Sequence, residues 1–210
     1  SLLLAICQCA ERYNRAMKAG HWQLDIPAEY GLLPQMELLD KTFGVYGYGS
    51  IGRQTARIAR AFGMNVLSYS RTRRPEGEAL ARYVDLDTLL AQSDFVSLHC
   101  PLTPATAKLI NADTLAKMKD GAILINTSRG PVVDSAALAD ALNNGRLAGA
   151  GIDVFEAEPP IAKDHPLLTA KNVIATPHVA FATKEALEKR AVIVFDNVDK
   201  WLKGTPQNVM

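Results

Sequence analysis

Three ionisable side chains stand where a short apolar run gives way to a loop: Arg129 in NTSRG, Glu158 in DVFEAEPP and His178 in TPHVAF. A guanidinium can polarise a carbonyl and grip a carboxylate through two parallel hydrogen bonds. An imidazole can deliver a proton to the carbonyl oxygen, and a carboxylate bonded to its ring would orient it and favour its protonated form. Singly, each has an ordinary use: an Arg in a turn is solvated, a Glu caps a loop, a His is structural. A glycine pattern gives the trio a setting. Gly47-x-Gly49-x-x-Gly52 follows the run Thr42, Phe43, Val45, Tyr46 and precedes a helical pattern with Ile51, Ile58, Ala59 and Phe62 on one face. Strand, glycine turn and helix start are the context in which this spacing reads as a dinucleotide site; without a ligand it is only a tight turn. The first glycine permits the turn, the second admits a pyrophosphate and the third lets helix and strand pack closely. The pyrophosphate would lie on the free N–H groups and positive dipole end of the helix.

Ser70 comes eighteen residues after Gly52, at the end of a second apolar run. An acidic residue about 20 positions beyond the glycines would bind the adenosine ribose hydroxyls of NAD. Here the chain reads Ser70-Arg71-Thr72-Arg73-Arg74, hydroxyls and guanidinium groups that suit a 2′-phosphate. That predicts NADP, with NAD the alternative; a solvated basic loop is the other reading.

The elements that must position these residues alternate. A helix to about Phe62, closed by Gly63, follows the glycine turn, and strands are expected at residues 66–69, 94–98, 122–126, 149–154 and 173–176. Between them lie a polar loop at residues 71–77, helical turns at 87–91 and 111–118, and a helix to about Asn144 capped by Asp134 or Ser135. Residues 2–19 read as one opening helix, apolar nearly all round in its first turns, buried in the chain's own core or packed on a partner. Residues 21–40, with Pro27, Gly31 and Pro34, read as an irregular connector. Residues 183–203 read as an amphipathic C-terminal helix with Leu187, Ala191, Val194, Val198 and Trp201 on one face. Short strands, apolar throughout and separated by helices, predict an α/β fold with a doubly wound parallel sheet covered on both faces, Rossmann-like, over residues 1–210. Ligands of such sheets lie beyond the carboxyl ends of the strands, where the residues above cluster.

Bulk properties narrow the class. A formal net charge of +1 argues against nucleic acid or a membrane surface as partner. Three cysteines form no disulfide framework and point to a reducing, cytoplasmic setting. Cys7 and Cys9 fall on different faces of the opening helix, and no metal-ligand cluster surrounds them. The apolar opening SLLLAIC lacks a basic n-region and is far short of the roughly 18 residues a membrane span requires.

The motifs VYGYGSIGRQTARIARAFGMNV, SLHCPLTPAT, LINTSRGPVVD, GIDVFEAEPP with the following HPLL, and TPHVA together resemble the nucleotide-binding domain of the D-isomer-specific 2-hydroxyacid dehydrogenases. With the opening helix and the Trp22 region the resemblance spans almost the whole chain, in order and spacing. It implies that Arg129 binds and polarises a 2-oxo acid. His178 is then the acid/base and Glu158 its partner, in preference to Glu156. It also implies that Asp153 contacts the nicotinamide end, that Ser50 and Ile51 give backbone contacts to the pyrophosphate, and that Cys100, Thr106, Thr127, Ser128 and Ala180 line the cleft. The implied reaction is reversible hydride transfer between NAD(P)H and a 2-oxo or D-2-hydroxy acid. The SRT stretch resembles glyoxylate and hydroxypyruvate reductases that favour NADPH. A homodimer contacting through the opening helix is implied, and so is a separate substrate-binding domain, absent from these 210 residues. Two rival readings remain: a corepressor-like, nucleotide-responsive binding module of the same fold, and a formate- or phosphite-type dehydrogenase, against which Glu158 counts because formate enzymes typically pair the His with Gln.

Overall fold

The computed structural model describes residues 1–21, 35–73 and 75–209; the connector around Pro27, Gly31 and Pro34, the Trp22 region and Arg74 lie outside the described residues. The chain divides into two compact units, residues 1–176 and 177–210.

Among the described residues the first unit holds seven parallel strands: β1 Thr42–Tyr46, β2 Asn65–Tyr69, β3 Arg82–Tyr83, β4 Phe95–Leu98, β5 Ala122–Asn126, β6 Leu147–Ile152 and β7 Val173–Ala175. Their order in the sheet is β3-β2-β1-β4-β5-β6-β7. The winding direction therefore reverses between β1 and β4, which pair directly through Phe43–Phe95 to Tyr46–Leu98. This is the switch point at which a doubly wound sheet opens a crevice. β4 and β5 are buried at every residue, as strands covered on both faces must be. One core cluster, with Leu89, Leu98, Leu124 and Leu138, covers one face. A second, with Phe43, Val45, Ala56 and Phe95, covers the other.

The helices follow the sequence closely, with four differences. The opening segment is two helices, α1 Leu2–Cys7 and α2 Ala10–Lys18, because Cys9 takes a left-handed conformation (φ 51°) and breaks the run. Cys7 is buried, and Leu2, Leu3 and Ile6 pack against the second core cluster. Space for them exists because β6 carries glycines: a Cβ on Gly151 would lie 2.9 Å from Leu2, and one on Gly149 2.9 Å from Ile6. The second difference lies in the polar loop, where Pro75 opens a one-turn helix, α4 Pro75–Glu78, and the two-residue edge strand β3 follows. A proline at the first helical position loses nothing, since its missing N–H has no partner there.

α3 Ser50–Ala61 with Gly63 at φ 77° beyond its end, α5 Leu86–Gln92, α6 Ala112–Lys117 and α7 Ser135–Asn143 capped by the Asp134 side chain stand where expected. The third difference is the face of α3: Gly52, Ala56 and Ala59 are buried, while Ile51, Ile58 and Phe62 of the expected apolar face are exposed, because the close contact with β1 admits only small residues. The fourth is the one-turn helix α8 Pro166–Thr169, which was not expected. In the second unit α9 Lys184–Leu202 is capped by Thr183 Oγ1, which accepts from Ala186 N at 3.1 Å. No described helix is long and apolar enough to cross a membrane.

Candidate cofactor cleft and active site

Each glycine of the fingerprint does a different job in the turn after β1. Gly47 has φ 96°, and a Cβ there would lie 2.6 Å from the His99 carbonyl, so only glycine lets β1 turn against the end of β4. A Cβ on Gly52 would meet the Gly47 carbonyl oxygen at 2.3 Å and Val45 at 3.0 Å, the close helix–strand contact. Gly49 faces open space, with nothing within 4 Å of a built Cβ. It is also the N-cap of α3, extended (φ −79°, ψ −160°) and without a side-chain cap. The first N–H groups of a twelve-residue helix thus face an open cradle whose backbone can be closely approached. That is the requirement of a pyrophosphate, and the residues present fit a dinucleotide. Ser50 and Ile51 supply the first of these N–H groups, and the Ile51 side chain is exposed.

Ser70 and Arg71 follow β2 directly beside this turn, where Gly47 N–H donates to the Tyr69 carbonyl at 2.9 Å. Two residues that the motif search passed over stand here. Tyr46 and Tyr69 end β1 and β2 in register, and their rings stack at 5.0 Å and 21°. Burial pushes the Tyr46 phenol up to about 12, Cys100 and Tyr69 add to the shift, and the Arg71 guanidinium opposes it. The signal was available: two aromatic residues in matching positions at the ends of adjacent strands share a face.

Beyond β4, Cys100 is buried and its thiol is raised by that burial. Thr106 shapes the following loop: its Oγ1 accepts from Thr103 N at 2.8 Å and lies 2.7 Å from the Pro101 carbonyl. His99, at the same strand end, is held neutral by burial, which lowers it to about 4, and its Nε2 lies 2.9 Å from Ser97 Oγ.

Beyond β5 the turn through Thr127, Ser128 and Arg129 is tied by the buried side chain of Asn126. Its Oδ1 accepts from Ser128 N at 3.0 Å and Ser128 Oγ at 2.9 Å, while its Nδ2 donates to the Arg129 carbonyl at 3.0 Å. The Ser128 hydroxyl is therefore engaged within the turn. Arg129 is exposed, and its Nη1 donates to the Ser128 carbonyl at 2.6 Å. Asn126 was not singled out from the sequence; a polar amide closing an apolar strand is the Asx-turn signature that could have found it.

Beyond β6, Asp153 is buried, its backbone N–H donates to the Asn126 carbonyl at 3.0 Å, and its Oδ1 accepts from Thr176 Oγ1 at 2.5 Å. The next loop presses on the β5 turn, since a Cβ on Gly130 would sit 2.0 Å from the Phe155 carbonyl. Its two glutamates have different partners. Glu156 Oε2 lies 3.0 Å from His165 Nε2, and because His165 Nδ1 accepts from Leu167 N at 3.3 Å, Nε2 carries the proton and donates. Burial alone would raise the Glu156 carboxyl, but hydrogen bonds from Ser135 and His165 outweigh it and hold it low. Glu158 is exposed and accepts from Phe155 N at 2.5 Å.

His178 opens the second unit, two residues past Thr176 in the chain. It has a positive φ of 53°, is half-buried, and meets Phe181 edge-on at 5.9 Å. Ala180 is exposed. Within the first unit, then, Gly49, Ser70, Cys100, Thr127, Arg129, Asp153 and Glu158 all lie at or just beyond the carboxyl ends of the strands, along one edge of the sheet.

Residues 1–180 match the profile of the D-isomer specific 2-hydroxyacid dehydrogenase, NAD binding domain. The chain belongs to that family. It is 45% identical to the hydroxypyruvate reductase of Blautia hydrogenotrophica over 211 residues, which covers 100% of this chain and 65% of that protein. It is also 45% identical to the glyoxylate reductase of Thermococcus litoralis, over 100% of this chain and 64% of that protein. Among solved structures, D-lactate dehydrogenase with NAD+ from Lactobacillus jensenii superimposes with a TM-score of 0.86 at 31% identity, covering 100% of this chain and 65% of that one. The chain spans about 65% of the length of these relatives. The Rossmann-like, nicotinamide-nucleotide-binding character of this family domain agrees with the parallel sheet and its switch-point cradle.

Proposed function

We propose that this chain is the cofactor-binding part of an oxidoreductase that reduces a 2-oxo acid to a D-2-hydroxy acid, with glyoxylate or hydroxypyruvate as substrate. The observation that carries the reading is the open cradle over Gly49 at the sheet's switch point, with Arg129 on the same edge two strands away. Gly47, Gly49, Ser50, Ile51 and Gly52 hold the pyrophosphate, and Ser70 and Arg71 hold the adenosine end. Cys100, Thr106, Thr127, Ser128, Asp153 and Ala180 line the remainder. NADP is favoured over NAD because no carboxylate follows β2 and Arg71 does.

A nicotinamide bound there supplies the hydride. Arg129 grips the substrate carboxylate and stabilises the charge that develops on the carbonyl oxygen. His178 delivers the proton to that oxygen, and Glu158 orients the imidazole. Glu156 is engaged with His165 and Ser135, which supports Glu158 for this role. A further domain, of the kind that makes up the rest of the relatives' length, completes the substrate pocket. A homodimer with the α1 region in the contact, where Leu4 is 37% exposed, and a cytoplasmic setting consistent with free Cys7 and Cys100 belong to the same reading.

Steady-state rates of the full-length protein with NADPH and NADH across a panel of 2-oxo acids test it. The expected result is NADPH oxidation with glyoxylate or hydroxypyruvate, lowered by at least about 100-fold in Arg129→Ala and in His178→Ala, with cofactor affinity little changed in the second. Tight cofactor binding without turnover of any 2-oxo acid would replace the enzyme by a nucleotide-responsive binding module.

A further inference from the structure

A second cavity, of about 740 Å³, runs along the β3 edge of the sheet and is lined by Arg60, Arg73, Arg82, Glu78, Asn65 and Tyr83 among others. It exists because β3 is so short. Only Leu67 and Ser68 of β2 pair with it, so the start of β2 at Asn65 and Val66 has no strand on that side. Arg60 and Arg82 lie away from the cofactor cleft, and Arg73, three residues past Ser70, is the part of the lining that borders the adenosine end. Arg60 lies eleven residues after Gly49 on α3, which at 1.5 Å per residue puts it roughly 16 Å from the pyrophosphate cradle. Thr42, which also lines the cavity, and Asn65 begin β1 and β2, at the opposite end of these strands from Gly47 and Ser70.

The charge around this cavity is unbalanced. Among the described residues of the lining, three are arginines and one is a glutamate, in a chain whose formal net charge is +1. Among the described residues, neither Arg60 nor Arg82 has a carboxylate at ion-pair distance. Arg82 Nη2 donates instead to Gln92 Oε1 at 2.9 Å, and the Arg73 guanidinium lies 5.7 Å over the Tyr83 ring. Glu78 is the single acidic residue among the described residues of the lining. Guanidinium groups facing one cavity repel each other, and an anion between them relieves that repulsion while meeting their forked donors two at a time.

We propose that this cavity is a second anion site. Its ligand is a small oxyanion with at least two negative charges, a polyphosphate or a polycarboxylate, bound by Arg60 and Arg82. The site is independent of the oxidoreductase reading. Calorimetric titration of the protein with inorganic pyrophosphate, and in a second arm with citrate, each with and without saturating NADPH, tests it. The expected Kd is below about 1 mM for at least one anion, unchanged by NADPH, and about tenfold or more weaker in the Arg60→Gln/Arg82→Gln variant. Weaker binding at higher salt is expected as well. Binding of pyrophosphate alone assigns a polyphosphate, of citrate alone a polycarboxylate. Both arginines are exposed, so the variant should fold, and its melting temperature checks this. Should it not, Arg60→Gln alone is titrated in its place, with a weakening of about threefold or more expected. Displacement of the anion by NADPH, an unchanged Kd in the folded variant, or no binding up to about 10 mM overturns the proposal.

Discussion

At the scale of single residues, the three glycines can be told apart by substitution. Gly49 has a φ and ψ that alanine adopts, and open space where the methyl would go. Gly49→Ala should therefore cost under about 1 kcal/mol of stability, the range for an N-cap change of this kind. It puts a methyl into the cradle, so NADPH affinity should fall by about tenfold or more, equivalent to about 1.4 kcal/mol. Gly52→Ala forces a methyl to 2.3 Å from the Gly47 carbonyl oxygen and 3.0 Å from Val45. It should lower stability by about 1–3 kcal/mol, as overpacking does. Urea denaturation beside a cofactor titration separates the two, and equal stability losses would remove the assignment of Gly49 to ligand approach.

At the scale of elements, strands β4 and β5 were legible because continuous apolar runs between turn signals leave a buried parallel strand as the natural reading. α7 was legible from its cap, and α3, α7 and α9 from the glycines that end them. The two-residue β3 was not, since two residues carry no periodicity. The break at Cys9 was not either, because a left-handed cysteine has no signature in a run that otherwise favours helix. In the site, Arg129, Asp153 and Glu158 could be found as polar residues at strand ends. Asn126, whose three hydrogen bonds shape the turn that presents Arg129, was hidden as the last residue of a strand. Asp94 was hidden in the same way. It reads as the first residue of β4 but clamps the sheet from outside it, its Oδ2 accepting from Thr42 N at 2.8 Å and its Oδ1 from Lys119 Nζ at 2.6 Å. Burial would raise this carboxyl, but the Lys119 and Thr42 hydrogen bonds with the charges of Lys119 and Lys41 outweigh it and leave it below the ordinary 3.8. A carboxylate with a lowered folded pKa stabilises above the unfolded value and stops doing so as pH falls through the folded one. Asp94→Asn should therefore cost about 1–2 kcal/mol at pH 7, the worth of hydrogen bonds to a charged group. The gap should close below pH 3.8, and a gap that persists in acid would show packing rather than charge at work.

At the scale of the whole molecule, a second group sets how the first unit responds to mild acid, and it does so in a different pH window. His99 directly follows β4 at the centre of the sheet, where burial lowers its pKa from the usual 6.5 to about 4. Between those values the unfolded chain carries a proton on this ring that the folded chain does not, so lowering the pH favours unfolding. The stability is fully present above pH 6.5 and is lost as pH falls towards 4, at up to about 1.4 kcal/mol per pH unit. Asp94 adds to the loss only below about pH 5, where its unfolded carboxyl, with the ordinary value of 3.8, begins to take up a proton that the folded one does not. His99→Gln cannot take up the proton, and its amide can still meet Ser97 Oγ, the partner of the His99 ring. Urea denaturation at intervals from pH 7 to 4 should show the wild-type midpoint falling steadily and the variant's falling less. The wild-type stability should fall relative to the variant's between pH 6.5 and 4 by the same amount whatever the offset at neutral pH. Parallel curves would mean that the ring is solvated enough to protonate without loss, and that the contact between Gly47 and the end of β4 is looser than the 2.6 Å geometry requires.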